Sequence, residues 1–285
     1  MSTPTTTRVF TPSGADLSFG GMLRSEWIKL RSIRSTIWCF AILVALTVGF
    51  GALLASTISA PTGMPAETAQ SLSVQAVTIG ISFGSLVISV LGVLIISGEY
   101  GTGMIRSTLT AVPRRVPALF AKAIVFAVVT AIVSALAFAI VVPISVGLLS
   151  GKGIETDLAD PAYWLALLGG VAYLVLVGLI SFSIGAIVRN TAGAIAVALG
   201  LLLAAPIVLS LVGSLTQLTW LQNLATLLPS QAGGALYGYH SDAAAPVPAP
   251  EGIWTLEPWQ GGLVLVVWFA VLFVGAAVLL KRRDA

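Results

Sequence analysis

The sequence predicts an all-α integral membrane protein, and three observations carry that expectation. The chain is 57% hydrophobic and only 9% charged, with mean hydropathy +1.02, whereas soluble domains carry about 25% charge. Its apolar residues fall in long stretches without Asp, Glu, Lys or Arg: Ser35 to Ala66, Thr68 to Gly98, Ala123 to Gly151, Pro161 to Val188 and Pro258 to Leu280. The basic residues flank those stretches instead of forming a patch of their own. A soluble enzyme and a disordered chain are thereby excluded, since the latter pairs low hydrophobicity with high net charge.

A membrane helix needs about 20 apolar residues to cross about 30 Å of hydrocarbon. Trimming each stretch by its Gly, Pro and polar ends, and taking the apolar half of Asn190 to Ser241, gives six spans at 36–57, 77–97, 118–149, 162–188, 192–213 and 259–280. Together they make a six-helix transmembrane domain over 36–280. Residues 1–18 form a polar tail, 19–35 an amphipathic helix and 281–285 a basic tail. The first apolar run is too long, and too far from the start, for a cleaved signal sequence, so it reads as a retained helix. Pro143 predicts a kink or an early end in the third span.

Orientation follows from the basic residues, which collect in short cytoplasmic loops. With both termini inside, all of the 14 Lys and Arg except Lys152 lie on the cytoplasmic side. The outer loops hold Glu67, Glu155, Asp157, Asp160, Asp242, Glu251 and Glu257. The expectation is a multi-pass protein of the plasma or inner membrane.

At 100° per residue, Phe19 to Ser35 places Phe19, Met22, Leu23, Trp27, Leu30 and Ile33 on one arc, with Arg24, Lys29 and Arg31 largely opposite. Glu26 intrudes into the apolar arc. Two readings stand side by side, a basic anchor on anionic lipid and a specific docking helix.

Between spans two and three, Gly98, Gly101 and Gly103 permit a tight turn, and Met104 to Val112 can form a short helix ended by Pro113. Glu99 stands alone after a long uncharged stretch, where lipid gives way to water. It either snorkels or pairs with Arg106 or with the basic Arg24 to Arg34 segment. Gly80 with Gly84, and Ser181 with Gly185, have the spacing of close helix contacts, within one chain or between two. Before the last span, Leu215 to Tyr239 reads as short re-entrant or amphipathic helices in the outer leaflet, and Ser241 to Gly252 as a flexible flap.

Several activities are excluded. No span carries a charge near its middle, which argues against a proton-coupled carrier. One histidine, His240, and one cysteine, Cys39, cannot build a metalloprotease site or an internal disulfide. Gly151-Lys152 is followed by Gly153, not by Ser or Thr, so the chain has no phosphate-binding loop and no catalytic or cofactor-binding residue is assigned. A secondary carrier, or a non-transporting membrane scaffold or sensor, stands as the alternative to a pump component.

Two motifs carry a family resemblance. The first is Ser25-Glu26-Trp27-Ile28-Lys29-Leu30-Arg31-Ser32, leading through Arg34-Ser35-Thr36 into span one; the second is Glu99-Tyr100 with Gly103, Ile105-Arg106, Leu109, Pro113-Arg114 and Lys122. With six spans and a long loop before the last, the chain resembles the permease subunits of ABC-2 type transporters, over roughly residues 20 to 283. Met104 stands where such permeases often have Thr, and the first 18 residues have no counterpart. The resemblance implies a connecting helix containing Glu26, Trp27, Lys29 and Arg31. It also implies a coupling helix that docks on a separate ATPase through Gly101, Gly103, Ile105, Arg106, Leu109 and Pro113; the boundary charge pair of Glu99 and Arg106 rests instead on the cost of an unpaired carboxylate at the membrane edge. Two permeases would pair around a central path, and ATP and Mg would sit in the partner, none in this chain. The uncharged spans favour an amphipathic or lipid-like cargo, drugs or antibiotics included, and no substrate-binding residue is assigned.

Overall fold

A computed structural model describes residues 18–59, 64–101, 115–240 and 252–282. Among them the chain is helical, without a strand, and six helices are long and apolar enough to cross a membrane. Helix is the solution that satisfies every backbone N–H and C=O within one segment where no water is present.

Helix α1, Phe19–Ser32, starts where the Ser18 hydroxyl accepts the Gly21 N–H at 3.1 Å. Ile33 is extended, at φ −86° and ψ 113°, and separates α1 from α2, Arg34–Thr57. The Lys152 ammonium donates to the carbonyls of Ser56 and of Ile58, the latter at 2.8 Å, closing the C-terminal end of α2. The lone basic residue in the predicted outer loops is thus a helix cap.

Helix α3, Ala66–Gly101, begins well before the predicted 77. Its extra turns are polar but good helix formers, Glu67 sits in the first turn where the helix dipole favours an acid, and the loop before the fourth span packs on them. Gln70 Nε2 donates to the Asp157 carbonyl at 2.8 Å, and Gln70 Oε1 accepts the Asp157 N–H at 2.9 Å. The Ser73 and Thr156 hydroxyls bond at 2.8 Å.

Helix α4, Arg115–Ser150, runs straight past Pro143 in sequence, so the expected early end does not occur. Buried Val141, Val142 and Ser145 around the proline hold the helix against its neighbours, while the ring stays on the exposed side. Helix α5, Pro161–Val188, has Asp160 as N-cap, Pro161 at its first turn and a left-handed Arg189, φ 56°, at its end. Helix α6, Thr191–Thr216, contains a π-helical turn at Gly200–Ala204 just ahead of Pro206, whose missing N–H loosens the backbone ladder there. Two short helices, α7 (Thr219–Thr226) and α8 (Pro229–Tyr237), fall where short helices are expected, and α9 is Pro258–Arg282.

Helix α5 is the centre of the bundle, with α3, α4, α8 and α9 packed on it. Small residues make the closest approaches, because van der Waals packing drives association where lipid is as apolar as leucine. A Cβ on Gly92 would lie 2.4 Å from the Gly178 carbonyl oxygen, and one on Gly80 would lie 2.4 Å from Thr47 Cα. Ser89 and Ser181 hydroxyls bond at 2.5 Å across the same α3–α5 seam. Gly84 meets Leu43, and Gly185 meets Val93 and Ile96. Both small-residue pairs singled out in the sequence therefore pack within the chain.

Gly92→Ala is expected to force α3 off α5 and to lower stability by about 1–3 kcal/mol, the usual cost of overpacking. Gly147→Ala, where a Cβ meets nothing within 4 Å, is expected to leave the melting temperature of the detergent-solubilised chain unchanged or raised.

Candidate functional site

Four charged side chains converge at the end of the bundle where α1 lies. Helix α1 supplies Glu26 and Lys29 one turn apart, the last turns of α3 supply Glu99, and the early turns of α4 supply Lys122. The charges alternate around a ring. Glu26 Oε1 accepts from Lys29 Nζ at 2.8 Å and Glu26 Oε2 from Lys122 Nζ at 2.5 Å; Glu99 Oε1 accepts from Lys122 Nζ at 2.7 Å and from Lys29 Nζ at 3.3 Å. Glu26, Glu99 and Lys122 are 6%, 4% and 7% exposed. Moving one such ion out of water costs several kcal/mol, so the ring persists because each charge has two opposite neighbours and the group is neutral.

The same neighbours set the protonation of the two α1 members. Burial alone would raise the Glu26 carboxyl, but the Lys122 ammonium, then that of Lys29, hold it below its ordinary value of 4.5. Burial would likewise lower Lys29, yet Glu26 and Glu99 keep it above its ordinary 10.5. Both groups are charged at neutral pH. One acceptor is left over: Glu99 Oε2 is buried and has no hydrogen-bond partner among the described residues.

The ring resolves the oddities of the sequence. Glu26, an intruder on an apolar arc, shares the buried face of α1 with Leu30, and this face packs mainly on α4. Glu99 is met by Lys29 of the basic segment, one of the partners expected for it, and also by Lys122. Arg106, the other expected partner, lies outside the described residues, as do Gly103, Ile105, Leu109 and Pro113. Gly101 is the exposed last residue of α3. Trp27 is 40% exposed and Arg31 is exposed, so neither joins the ring.

A second anchor was not foreseen. Arg189, held left-handed between α5 and α6, stacks its guanidinium 5.1 Å from the Tyr100 ring centroid and donates from Nη2 to the Leu279 carbonyl at 3.4 Å. It fastens the ends of α3 and α9 to the α5–α6 turn. The one usable signal was Arg189-Asn190, a charged and capping pair between two apolar runs.

At the opposite end, Asp160 Oδ2 accepts from Tyr239 Oη at 2.8 Å and from Gln70 Nε2 at 3.3 Å, tying the segment after α8 to α3 and to the start of α5. No group of three or more His, Cys, Asp and Glu able to hold a metal occurs among the described residues. The arrangement is that of a polytopic membrane protein whose polar chemistry lies at its two ends and whose long apolar bundle is held by small-residue contacts.

Six helices of that length and apolarity define a helical, multi-pass membrane protein. A profile of the ABC-2 family transporter proteins matches residues 22–205, from α1 into α6 and through every member of the charged ring, and the chain belongs to that family. It is a multi-pass membrane protein of the ABC transporter permease type. No curated protein matches the chain.

Removing one member of the ring leaves a buried charge uncompensated. Lys122→Met is expected to destabilise by about 3–5 kcal/mol. Glu99→Gln combined with Lys122→Met keeps the neutral Glu26–Lys29 pair and is expected to recover much of that loss in thermal unfolding. With pH, the Glu26 contribution is complete above 4.5 and is lost as pH falls through its depressed value. The Lys29 contribution is complete below 10.5 and is lost as pH rises through its raised value. The share that Glu26 and Lys29 contribute, measured as wild type minus a Glu26→Gln/Lys29→Met variant, should therefore be flat between those limits.

Proposed function

We propose that this chain is the membrane half of an ATP-driven exporter. One observation supports the reading above others: the ring of Glu26, Lys29, Glu99 and Lys122 locks α1 to the last turns of α3, immediately before the segment 101–113. A partner ATPase that pushed on that segment would move α1, α3 and α4 as one body. Gly101, Gly103, Ile105, Arg106, Leu109 and Pro113 would form the docking element, and α1 the connecting helix beside it. Hydrolysis belongs to the partner, which would bind ATP and Mg, because this chain carries no phosphate-binding loop.

Two copies would pair around a central path, with both termini and the docking segment in the cytoplasm. The orientation rests on the distribution of Lys and Arg. The cargo is an amphipathic or lipid-like molecule moved outward, in keeping with spans whose middles bear no charge.

In a Cys39→Ser background, single cysteines at Ala66 and Ala244 should react with an impermeant thiol reagent on intact cells, and one at Ser107 should not. Labelling of Ser107 from outside would reverse the orientation.

The purified chain should hydrolyse no ATP, and co-expression with its ATPase should yield a complex with two copies of each chain. Leu109→Asp should weaken that complex, since an unpaired carboxylate would be pressed into an apolar groove at a cost of about 1–3 kcal/mol or more. Glu99→Gln should insert normally yet lower transport-linked hydrolysis. A complex that forms as tightly with Leu109→Asp and with Arg106→Glu would place docking elsewhere.

A further inference from the structure

Where α1 packs on α4, a groove of about 390 Å³ is lined by Leu23, Arg24 and Trp27 of α1 and by Ile124, Val125 and Val128 of α4. Arg24 is the one charged residue in this wall, and it is exposed. An arginine so placed lays its aliphatic stem along an apolar surface while its guanidinium stays with the headgroups. Trp27, exposed beside it, is of the residue type that settles at the same level.

The α4 wall does not stop at the groove. Ile124, Val128, Ile132 and Leu136 are all exposed and stand four residues apart, so the aliphatic surface continues along the helix for about 18 Å. That is a little more than half of a hydrocarbon core about 30 Å thick. It begins two residues after Lys122 of the charged ring and runs into the depth of the membrane. A folded partner outside the bilayer cannot follow such a track, whereas an acyl chain lies along it.

Charge says which lipid. Along the sequence, the stretches at the α1 end of the spans hold every Lys and Arg except Lys152, but their only acids are Asp16, Glu26, Glu99 and Asp284. Glu26 and Glu99 are taken up by Lys29 and Lys122 in the ring. The surplus at this end is therefore positive, and an exposed guanidinium binds a phosphate group through two parallel hydrogen bonds.

We infer that the groove between α1 and α4 binds a phospholipid of net negative charge, its phosphate on Arg24, its headgroup level with Trp27 and one acyl chain along Ile124, Val128 and Ile132. A zwitterionic lipid offers the same phosphate but brings another cation to an end that already has too many. The site requires only that the chain spans a membrane, and it exists with or without an ATPase.

The full chain is placed in phosphatidylcholine nanodiscs with a trace of phosphatidylglycerol bearing a diazirine on one acyl chain, irradiated, and its labelled residues are located by peptide mass spectrometry. Phosphatidylcholine with the same diazirine chain is the matched probe. The phosphatidylglycerol probe should label residues 124–132 about fivefold more strongly, as the attraction of one basic residue for anionic lipid implies. Arg24→Gln should bring the two probes level there. Arg282→Gln removes an exposed cation from the end of α9, away from the groove, and should leave the ratio unchanged. Both arginines are exposed, so both variants should keep the melting temperature of the wild type. Equal labelling by the two probes in the unaltered chain overturns the inference, and so does an equal fall in Arg24→Gln and Arg282→Gln, which would mean diffuse attraction to the whole end. A preference that survives Arg24→Gln while the complex with the ATPase weakens would give Arg24 to a protein interface and also overturn it. The labelling is done without an ATPase, so its failure leaves the exporter reading where it stands.

Discussion

A ring of four charges, three of them buried, in a protein that lives in lipid sets the terms for the rest of this structure. Each ion in the ring of Glu26, Lys29, Glu99 and Lys122 would be expensive alone, and the group is tolerable only while all four remain together. That condition fixes the geometry. Helix α1 must lie against α4 and the end of α3, because moving it away strands Glu99 and Lys122 together without Glu26 or Lys29. The apolar bundle has no comparable specificity of its own. Its close contacts, Gly92 on Gly178 and Gly80 on Thr47, decide how near the helices come, whereas the ring decides which helix ends belong together.

The two ends of the bundle are built differently, and both schemes avoid leaving backbone or charge unsatisfied. At the α1 end, charge pairs and the Arg189 stack on Tyr100 join α1, α3, α4, α5 and α9. At the other end, Gln70, Asp160, Tyr239 and the Lys152 cap join helices through neutral or singly charged hydrogen bonds. In the exporter we propose, the first end would receive the push from a partner. Several elements fastened by charge transmit a displacement as a unit, since pulling one helix away leaves buried ions with fewer opposite charges around them.

Much of this was legible in the sequence, for physical reasons that particular residues illustrate. The six long helices show themselves because lipid demands unbroken apolar runs, and charges mark where those runs stop. Glu99 stood out because an isolated acid at the edge of such a run needs a partner. Its ring was not legible: Lys122 is 23 residues away and Glu26 is 96 residues from Lys122, and spacing says nothing about which distant cation fills a given pocket. Hydropathy also missed the first turns of α3, because Gln70 and Ser73 are polar yet buried by hydrogen bonds to the loop before α5. Pro143 misled in the opposite sense. One lost N–H does not end a helix whose neighbours on both sides are packed.

The dependence of α1 on the ring is open to direct measurement by amide hydrogen exchange in the reconstituted chain. Residues 22–32 should be protected in the wild type well beyond what an isolated helix of 14 residues achieves, since such a helix is marginal by itself. In Lys122→Met that protection should fall across α1 while the amides of α5 stay protected, the mark of a helix released from an intact bundle. Unchanged exchange in α1 would contradict the account, because it would mean that something other than the charged ring holds this helix in place.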